Sequence, residues 1–304
     1  MTVGDDAMLH GAREETADSA ASSAQAGPHA RLAATFVGGG NMATALIGGL
    51  VAAGADETDL TVIDPSDAQR ARLAARFPGV QLHASVSAAA LAERAIAILA
   101  VKPQQMREVA TSLAPHAGGI GVVLTIAAGI RIDDLSRWLG GGRRIVRAMP
   151  NTPALVGRGI SGVYADPSVD AAGRGLAARV LEAAGEVVWC ADERALDAVT
   201  GLSGSGPAYV YYLIEAMERA GVEQGLDAAI ARKLAYATFD GAIALARAGG
   251  EEPATLRANV TSKGGTTERG LAALAARDAA AAMRDAVAAA TARARELGDE
   301  YGAA

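Results

Sequence analysis

The stretch that most restricts what this chain can fold into is Ala33-Ala-Thr-Phe-Val37 running directly into Gly38-Gly-Gly-Asn-Met-Ala43. A short apolar strand that opens into G-x-G-x-x-A is the dinucleotide-binding turn, with alanine as its third small residue. Gly38 allows the tight turn, Gly40 lets the backbone approach a pyrophosphate, and Ala43 permits close packing of helix on strand. Gly39, Asn41 and Met42 are the intervening residues of the motif. The following segment, Thr44–Ala53, reads as a helix that stops at Gly54, with its N-terminus towards the phosphates. Glycine-rich turns are common, so the weight comes from context: strand before, helix after, then a second strand over Leu60–Asp64.

Asp64 ends that second strand, where an acid about 20 residues past the glycine turn often accepts the ribose hydroxyls of NAD. Ser66 and Arg70 follow closely and could instead hold the 2′-phosphate of NADP, while Asp64 could equally be a turn former before Pro65.

Strand-like apolar runs then alternate with helical patterns. Ala95–Ala100, Gly121–Ile126 and Arg144–Ala148 read as buried strands, with a helix from about Gln104 to Leu113. This alternation predicts an α/β fold, a Rossmann-type, parallel, doubly wound sheet with ligands at the carboxyl ends of its strands. Three short segments fall at such ends: Val101-Lys102-Pro103, Ala127-Ala128-Gly129 and Met149-Pro-Asn-Thr-Pro153. The small residues of the second would admit a flat ring; Lys102 could equally be a solvated strand-end lysine. Further strands are expected over Gly159–Tyr164 and Glu186–Cys190, with a helix over Ser168–Ala184 between them.

No strand pattern follows Glu193. The expected organisation is a tail over residues 1–30, a nucleotide-binding domain over 31–191 and a helical domain over 192–304. Ile230, Leu234, Thr238, Gly241 and Leu245 make one stripe; Met283, Val287, Ala290, Ala294 and Leu297 make another. Such stripes read most simply as a bundle core. Helices this rich in alanine build a thin core, so burial against a second copy of the chain is also expected.

Several function classes lose support. A net charge of −6 gives no footprint for nucleic acid. The four histidines, His10, His29, His83 and His116, have no neighbours at metal-ligand spacing, so no metal site is expected. The single cysteine, Cys190, excludes an internal disulfide framework and suits a reducing cytoplasm; its apolar run Val187-Val-Trp-Cys190 reads as core. No run approaches the ~20 apolar residues of a membrane span. Residues 1–30, rich in Ala, Ser, Asp and Glu, read as a disordered tail rather than a secretory signal.

Late in the chain, Asn259-Val-Thr-Ser-Lys-Gly-Gly-Thr-Thr-Glu-Arg-Gly270 lies between two helical patterns. Its shape reads as a turn and a threonine-capped helix start, whose amides and hydroxyls could face an anion. Taken with VGGGNMA (37–43), AVKP (100–103), AAG (127–129), RAMPNTP (147–153) and AVTGLSGSGPAY (198–209), it resembles the pyrroline-5-carboxylate reductase family, over about residues 33–300. The resemblance implies reduction of the C=N bond of 1-pyrroline-5-carboxylate to L-proline, the last step of proline biosynthesis. It implies a helical domain that intertwines with its partner in a homodimer, which in the family often assembles to a decamer. The cofactor of one subunit then meets substrate-binding residues of the other. By this match Gly38–Ala43 cradle the pyrophosphate, Val101 and Lys102 line the cofactor, Ala128 meets the nicotinamide amide, and Asn259 touches the cofactor. Ser262, Gly265, Thr266 and Thr267 hold the substrate, Thr267 in a catalytic hydrogen-bonding role, and Glu193 stands where the family can carry a substrate-proximal acid.

Two departures stand out. Ser87 occupies the place of an asparagine near the adenosine side in many relatives, and Asp64 is an unusual companion for the NADP(H) that the family generally favours. NADP(H) is therefore the expected cofactor, with NAD(H) open. The rival readings are a related imine reductase, a β-hydroxyacid dehydrogenase, and a dinucleotide sensor that has lost catalysis. The dehydrogenase class uses a lysine on a helix of its second domain, and Lys233, beside Arg232, reads as solvent-facing. A sensor would have eroded the second-half loop, which is intact.

Overall fold

Parallel strands need long crossovers, and the first half of this chain supplies them in series. The computed structural model describes residues 31–91 and 94–303; the expected tail over 1–30 lies outside the described residues. The strands are β1 (Ala34–Val37), β2 (Leu60–Ile63), β3 (Gln81–His83), β4 (Arg94–Leu99), β5 (Ile120–Thr125), β6 (Ile145–Met149), β7 (Gly159–Ala165) and β8 (Gly185–Trp189). They form one sheet in the order β3-β2-β1-β4-β5-β6-β7-β8. Helices α1 (Asn41–Ala52), α2 (Asp67–Arg76), α3 (Ala88–Leu91), α4 (Pro103–Leu113), α5 (Ile132–Trp138) and α6 (Ala171–Glu182) accompany it.

Alternate residues of each central strand feed two separate cores. Phe36 and Ile98 pack with Leu46 and Leu50 of α1 and Val180 of α6, whereas Val37 and Leu99 pack with Met106 of α4 and Leu135 of α5. Helices thus cover both faces, as a doubly wound sheet requires.

The sheet is parallel only as far as β6. β7 runs antiparallel to β6, pairing Arg147 with Tyr164, and β8 runs parallel to β7. The link from Met149 to Gly159 carries only a short 3₁₀ turn, Thr152–Val156, too little chain for a crossover, so β7 returns beside β6. α1 also begins earlier than expected, at Asn41.

Beyond Trp189 every assigned element among the described residues is helical: α7 (Ala195–Val199), α8 (Gly206–Glu223), α9 (Ala228–Gly249), α10 (Pro253–Asn259), α11 (Thr266–Ala276) and α12 (Ala279–Ala303). The α9 stripe is not an internal bundle core. Ile230 is 52%, Leu234 53% and Leu245 61% exposed, while Ala231 and Ala235 point inward. Small residues face the chain's own helices here, and the large apolar ones face out. Cys190 likewise is not core. It follows the sheet's edge strand and is half-buried, beside the exposed Val188 and Trp189. Its amide donates to Val163 O (2.7 Å), and burial pushes its thiol above the usual range.

Candidate active site

The glycine turn has the geometry an anion needs. Gly38 takes φ +96°, and a Cβ there would lie 2.7 Å from Ala100 O, so no other residue fits between β1 and the end of β4. Gly40 is the exposed N-cap of α1 and carries no side-chain cap, and a Cβ there would meet nothing within 4 Å. The first amides of α1, on Asn41, Met42 and Ala43, are therefore the ones the helix cannot satisfy itself. An open backbone shelf at a helix N-terminus fits a pyrophosphate.

At the end of β2, Asp64 is already engaged. Its Oδ2 accepts from Gly39 N (2.8 Å) and its Oδ1 from Ser66 N (2.9 Å), so the acid braces the glycine turn and also forms the local turn. Gln69 Nε2 donates to Gly39 O from the other side. Ser66 caps α2 by accepting from Gln69 N, and Arg70 Nη1 donates to Asp64 O (2.6 Å) while its Nη2 pairs with Asp67. Ser87 Oγ accepts from Ala90 N (3.3 Å) at the start of α3. Lys102 is exposed at the N-cap of α4, Val101 is half-buried, and Ala128 lies half-buried in the loop between β5 and α5.

Glu193 is engaged within the chain itself. Its Oε1 accepts from Ile132 N (2.9 Å), at the start of α5, and from Arg147 Nη1 (2.9 Å). Arg147 lies inside β6 with its side chain only 5% exposed, and its Nη2 lies 3.8 Å from Asp197 Oδ1 on α7. The carboxylate is thus held in a partly buried ion network that joins β6, α5 and α7.

The segment AVTGLSGSGPAY spans the end of α7, a π-helical turn over Thr200–Gly204 and the start of α8. The turn lies against α12: a Cβ on Gly201 would sit 2.2 Å from Thr291 Oγ1 and 2.8 Å from Val287 O. Tyr209 Oη donates to Gly201 O (3.1 Å). Asn151 connects this turn to the sheet, donating to Ser203 O (3.2 Å) and accepting from Ile160 N (2.9 Å).

The loop after α10 is also preformed. Gly264 takes φ +73°, its amide donates to Glu268 Oε2 (2.6 Å), and Gly265 N donates to Ser262 O (3.0 Å). The N-cap of α11 is Gly265, without a side-chain cap; Thr266 and Thr267 are its first two helical residues rather than the cap. The amides of Thr266, Thr267 and Glu268 are left for an external acceptor. Thr266 and Ser262 are exposed, and Thr267 is half-buried. Among the described residues, no recorded hydrogen bond or ion pair joins this loop to Gly38–Ala43, Lys102 or Ala128. α10 and α11 bury none of their residues, and Asn259 is exposed at the end of α10.

Comparison with known proteins identifies the pattern. A family model described as pyrroline-5-carboxylate reductase dimerisation matches residues 193–297, and one described as NADP oxidoreductase, coenzyme F420-dependent, matches residues 34–129. The pyrroline-5-carboxylate reductase of Pseudomonas aeruginosa is 42% identical over 267 residues, covering 88% of this chain and 97% of that protein. The chain belongs to the pyrroline-5-carboxylate reductase family. The structure of the Coxiella burnetii pyrroline-5-carboxylate reductase superposes with a TM-score of 0.83 at 34% identity, covering 88% of this chain and 99% of that one. That of the Plasmodium falciparum enzyme, with NADP bound, gives 0.77 at 27% identity, covering 88% and 98%.

Within this reductase family chain, the structure gathers Gly38–Ala43, Asp64, Ser66 and Arg70 where the adjacent strands β1 and β2 end and α1 and α2 begin. It leaves Asn259, Ser262 and Gly265–Thr267 on a separate, unburied element. Three partners escaped the reading of the sequence. Gln69 and Glu268 brace their loops through contacts that only backbone geometry reveals. Arg147 did carry a signal: a lone cation inside the apolar run Ile145-Val-Arg-Ala-Met149 requires a buried partner.

Proposed function

We propose that the chain reduces 1-pyrroline-5-carboxylate to L-proline with NAD(P)H, the last step of proline biosynthesis. The observation that carries the reading is the presence in one chain of two uncapped helix N-termini, each behind a glycine turn: one at Gly40, fit for a dinucleotide, and one at Gly265, fit for a small carboxylate. Identity with reductases of this name over nearly the whole chain supports it.

When bound, the reduced nicotinamide supplies the hydride that reaches the imine carbon, and the ring nitrogen keeps its proton to become the amine. The protein's part is placement and electrostatics. Asn41, Met42 and Ala43 amides hold the pyrophosphate, Val101 and Lys102 line the bound dinucleotide, and Ala128 offers its backbone to the carboxamide. The Thr266 and Thr267 amides, with the Ser262 hydroxyl, hold the substrate carboxylate at a helix N-terminus without an arginine. Thr267 Oγ1 hydrogen-bonds the ring nitrogen as its charge is lost. An imine that arrives protonated requires no strong acid from the protein. Thr267→Ala should lower kcat about tenfold or more, consistent with losing one hydrogen bond to a charged group. Unchanged turnover would remove that role, and a wild type inactive on pyrroline-5-carboxylate would remove the whole reading.

The two halves meet across a homodimer in this reading. The outward Ile230, Leu234 and Leu245 give α9 an apolar face for a second copy, which would bring the partner's loop over the nucleotide shelf. Of the two cofactors we favour NADP(H). Two amides already offset the Asp64 charge, and Arg70, paired with the exposed Asp67, holds its guanidinium at the same strand end. Turnover with NADPH and NADH at equal concentration tests this, and a strong NADH preference overturns it.

A further inference from the structure

Helix α12 reaches past the region matched by the dimerisation family model, and its last turns sit on the loops proposed to face the nicotinamide. The ring of Tyr301 lies against Gly129: a Cβ at Gly129 would stand 3.1 Å from Tyr301 Cδ2 and 3.2 Å from Leu297 Cβ. Gly129 is buried with φ +73°, so the loop holding Ala128 has neither a side chain nor spare room at this contact. Tyr301 Oη accepts from Gln104 Nε2 (2.9 Å), at the start of α4 and directly after Val101-Lys102-Pro103. One side chain therefore touches the structures that follow both β4 and β5.

The same turns are anchored to α5, so Tyr301 is not a frayed terminus. Arg131, at the N-cap of α5, pairs with Asp299 (2.8 Å), and Arg137 Nη2 donates to Gly302 O (3.0 Å). A Cβ at Gly298 would stand 2.9 Å from Arg131 Nε, and one at Gly302 2.5 Å from Asp134 Oδ2. Two glycines let the helix lie down on α5, and two arginines fasten it there.

We propose that Tyr301 is a positioning residue that fixes the Ala127–Gly129 loop and the start of α4 for the nicotinamide end of the cofactor. The inference rests on the reading that Ala128 meets the nicotinamide; Tyr301 itself touches the loop's glycine and Gln104. The glycine turn at Gly38–Ala43 lies on other strands and is not touched by Tyr301, so the adenosine and pyrophosphate end should be indifferent to it.

The test compares wild type, Tyr301→Ala and Tyr301→Phe by binding of NADPH and of 2′-phospho-ADP-ribose, which lacks the nicotinamide, and by steady-state kinetics. Tyr301→Ala should weaken NADPH binding and raise its KM by about tenfold, the scale of one lost packing contact. Its affinity for 2′-phospho-ADP-ribose should stay within about twofold, and Tyr301→Phe, which keeps the ring, should recover most of the loss. Equal weakening of both ligands means general loosening and overturns the proposal, as does NADPH binding within about twofold of wild type. Should Tyr301→Ala fail to fold, Tyr301→Leu, which removes the ring and its hydroxyl but keeps an apolar side chain, supplies the same comparison. A wild type that binds NADPH yet does not reduce pyrroline-5-carboxylate would refute the functional reading, while the binding comparison would still decide this one.

Discussion

Arg147 offers the sharpest perturbation of the scaffold. Replacing it with methionine keeps most of the volume and the apolar stem but removes the guanidinium. Glu193 and Asp197 then face each other without the cation that bridges them, their side chains only 24% and 10% exposed. Removing one partner of a buried pair costs about 3–5 kcal/mol. Because Glu193 is a quarter exposed and Arg295 Nε remains 3.9 Å from Asp197 Oδ2, the lower end, about 3 kcal/mol, applies. For a chain of this size that corresponds to a melting temperature lower by about 6–12 °C. The assay is thermal unfolding by circular dichroism at one fixed subunit concentration, since association shifts the midpoint. Adding Glu193→Gln and Asp197→Asn removes the stranded charge and keeps an oxygen for the Ile132 amide, so the triple variant should recover most of the loss. If Arg147→Met melts within about 1 kcal/mol of wild type, or the triple variant is no better than the single, the argument from stranded buried charge is wrong.

Gly201→Ala should be among the costliest alanine substitutions, because its methyl would enter the space of Thr291 Oγ1; a drop of several degrees in melting temperature is expected, and none would show that the π-helical turn yields freely. Cys190 should react with a disulfide reagent at pH 8 more slowly than a free thiol, since burial raises its pKa and holds it as the neutral thiol; reaction at the free-thiol rate would contradict that. Leu234→Glu should shift the chain towards monomer in sedimentation velocity with its far-ultraviolet spectrum unchanged, whereas an intact dimer would place the interface elsewhere.

Much of the nucleotide half was readable because its constraints are local. Glycine at Gly38 answers a φ of +96°, and strand and helix periods around it differ plainly. The direction of β7 depended on a length argument instead: the chain between Met149 and Gly159 cannot hold a crossover, although its apolar strand looks like the parallel ones before it. Cys190 and the α9 stripe misled for a shared reason. Hydropathy records that a residue seeks burial, not which molecule provides it, and both lie where this chain presents an edge or face outward. Glu193 shows the opposite limit, since its partner Arg147 lies far away in sequence and only the fold brings the two within 2.9 Å.

The isolation of the Ser262–Thr267 loop from the nucleotide shelf has a genetic consequence. If each site draws its two halves from different subunits, two separately crippled chains can restore one another. A Gly38→Ala chain, crippled at the nucleotide turn, mixed with a Thr267→Ala chain would form hybrids holding one intact site and one doubly damaged one. Random assortment of a two-fold dimer predicts recovery of up to about a quarter of wild-type activity, above parents that each keep about a tenth or less.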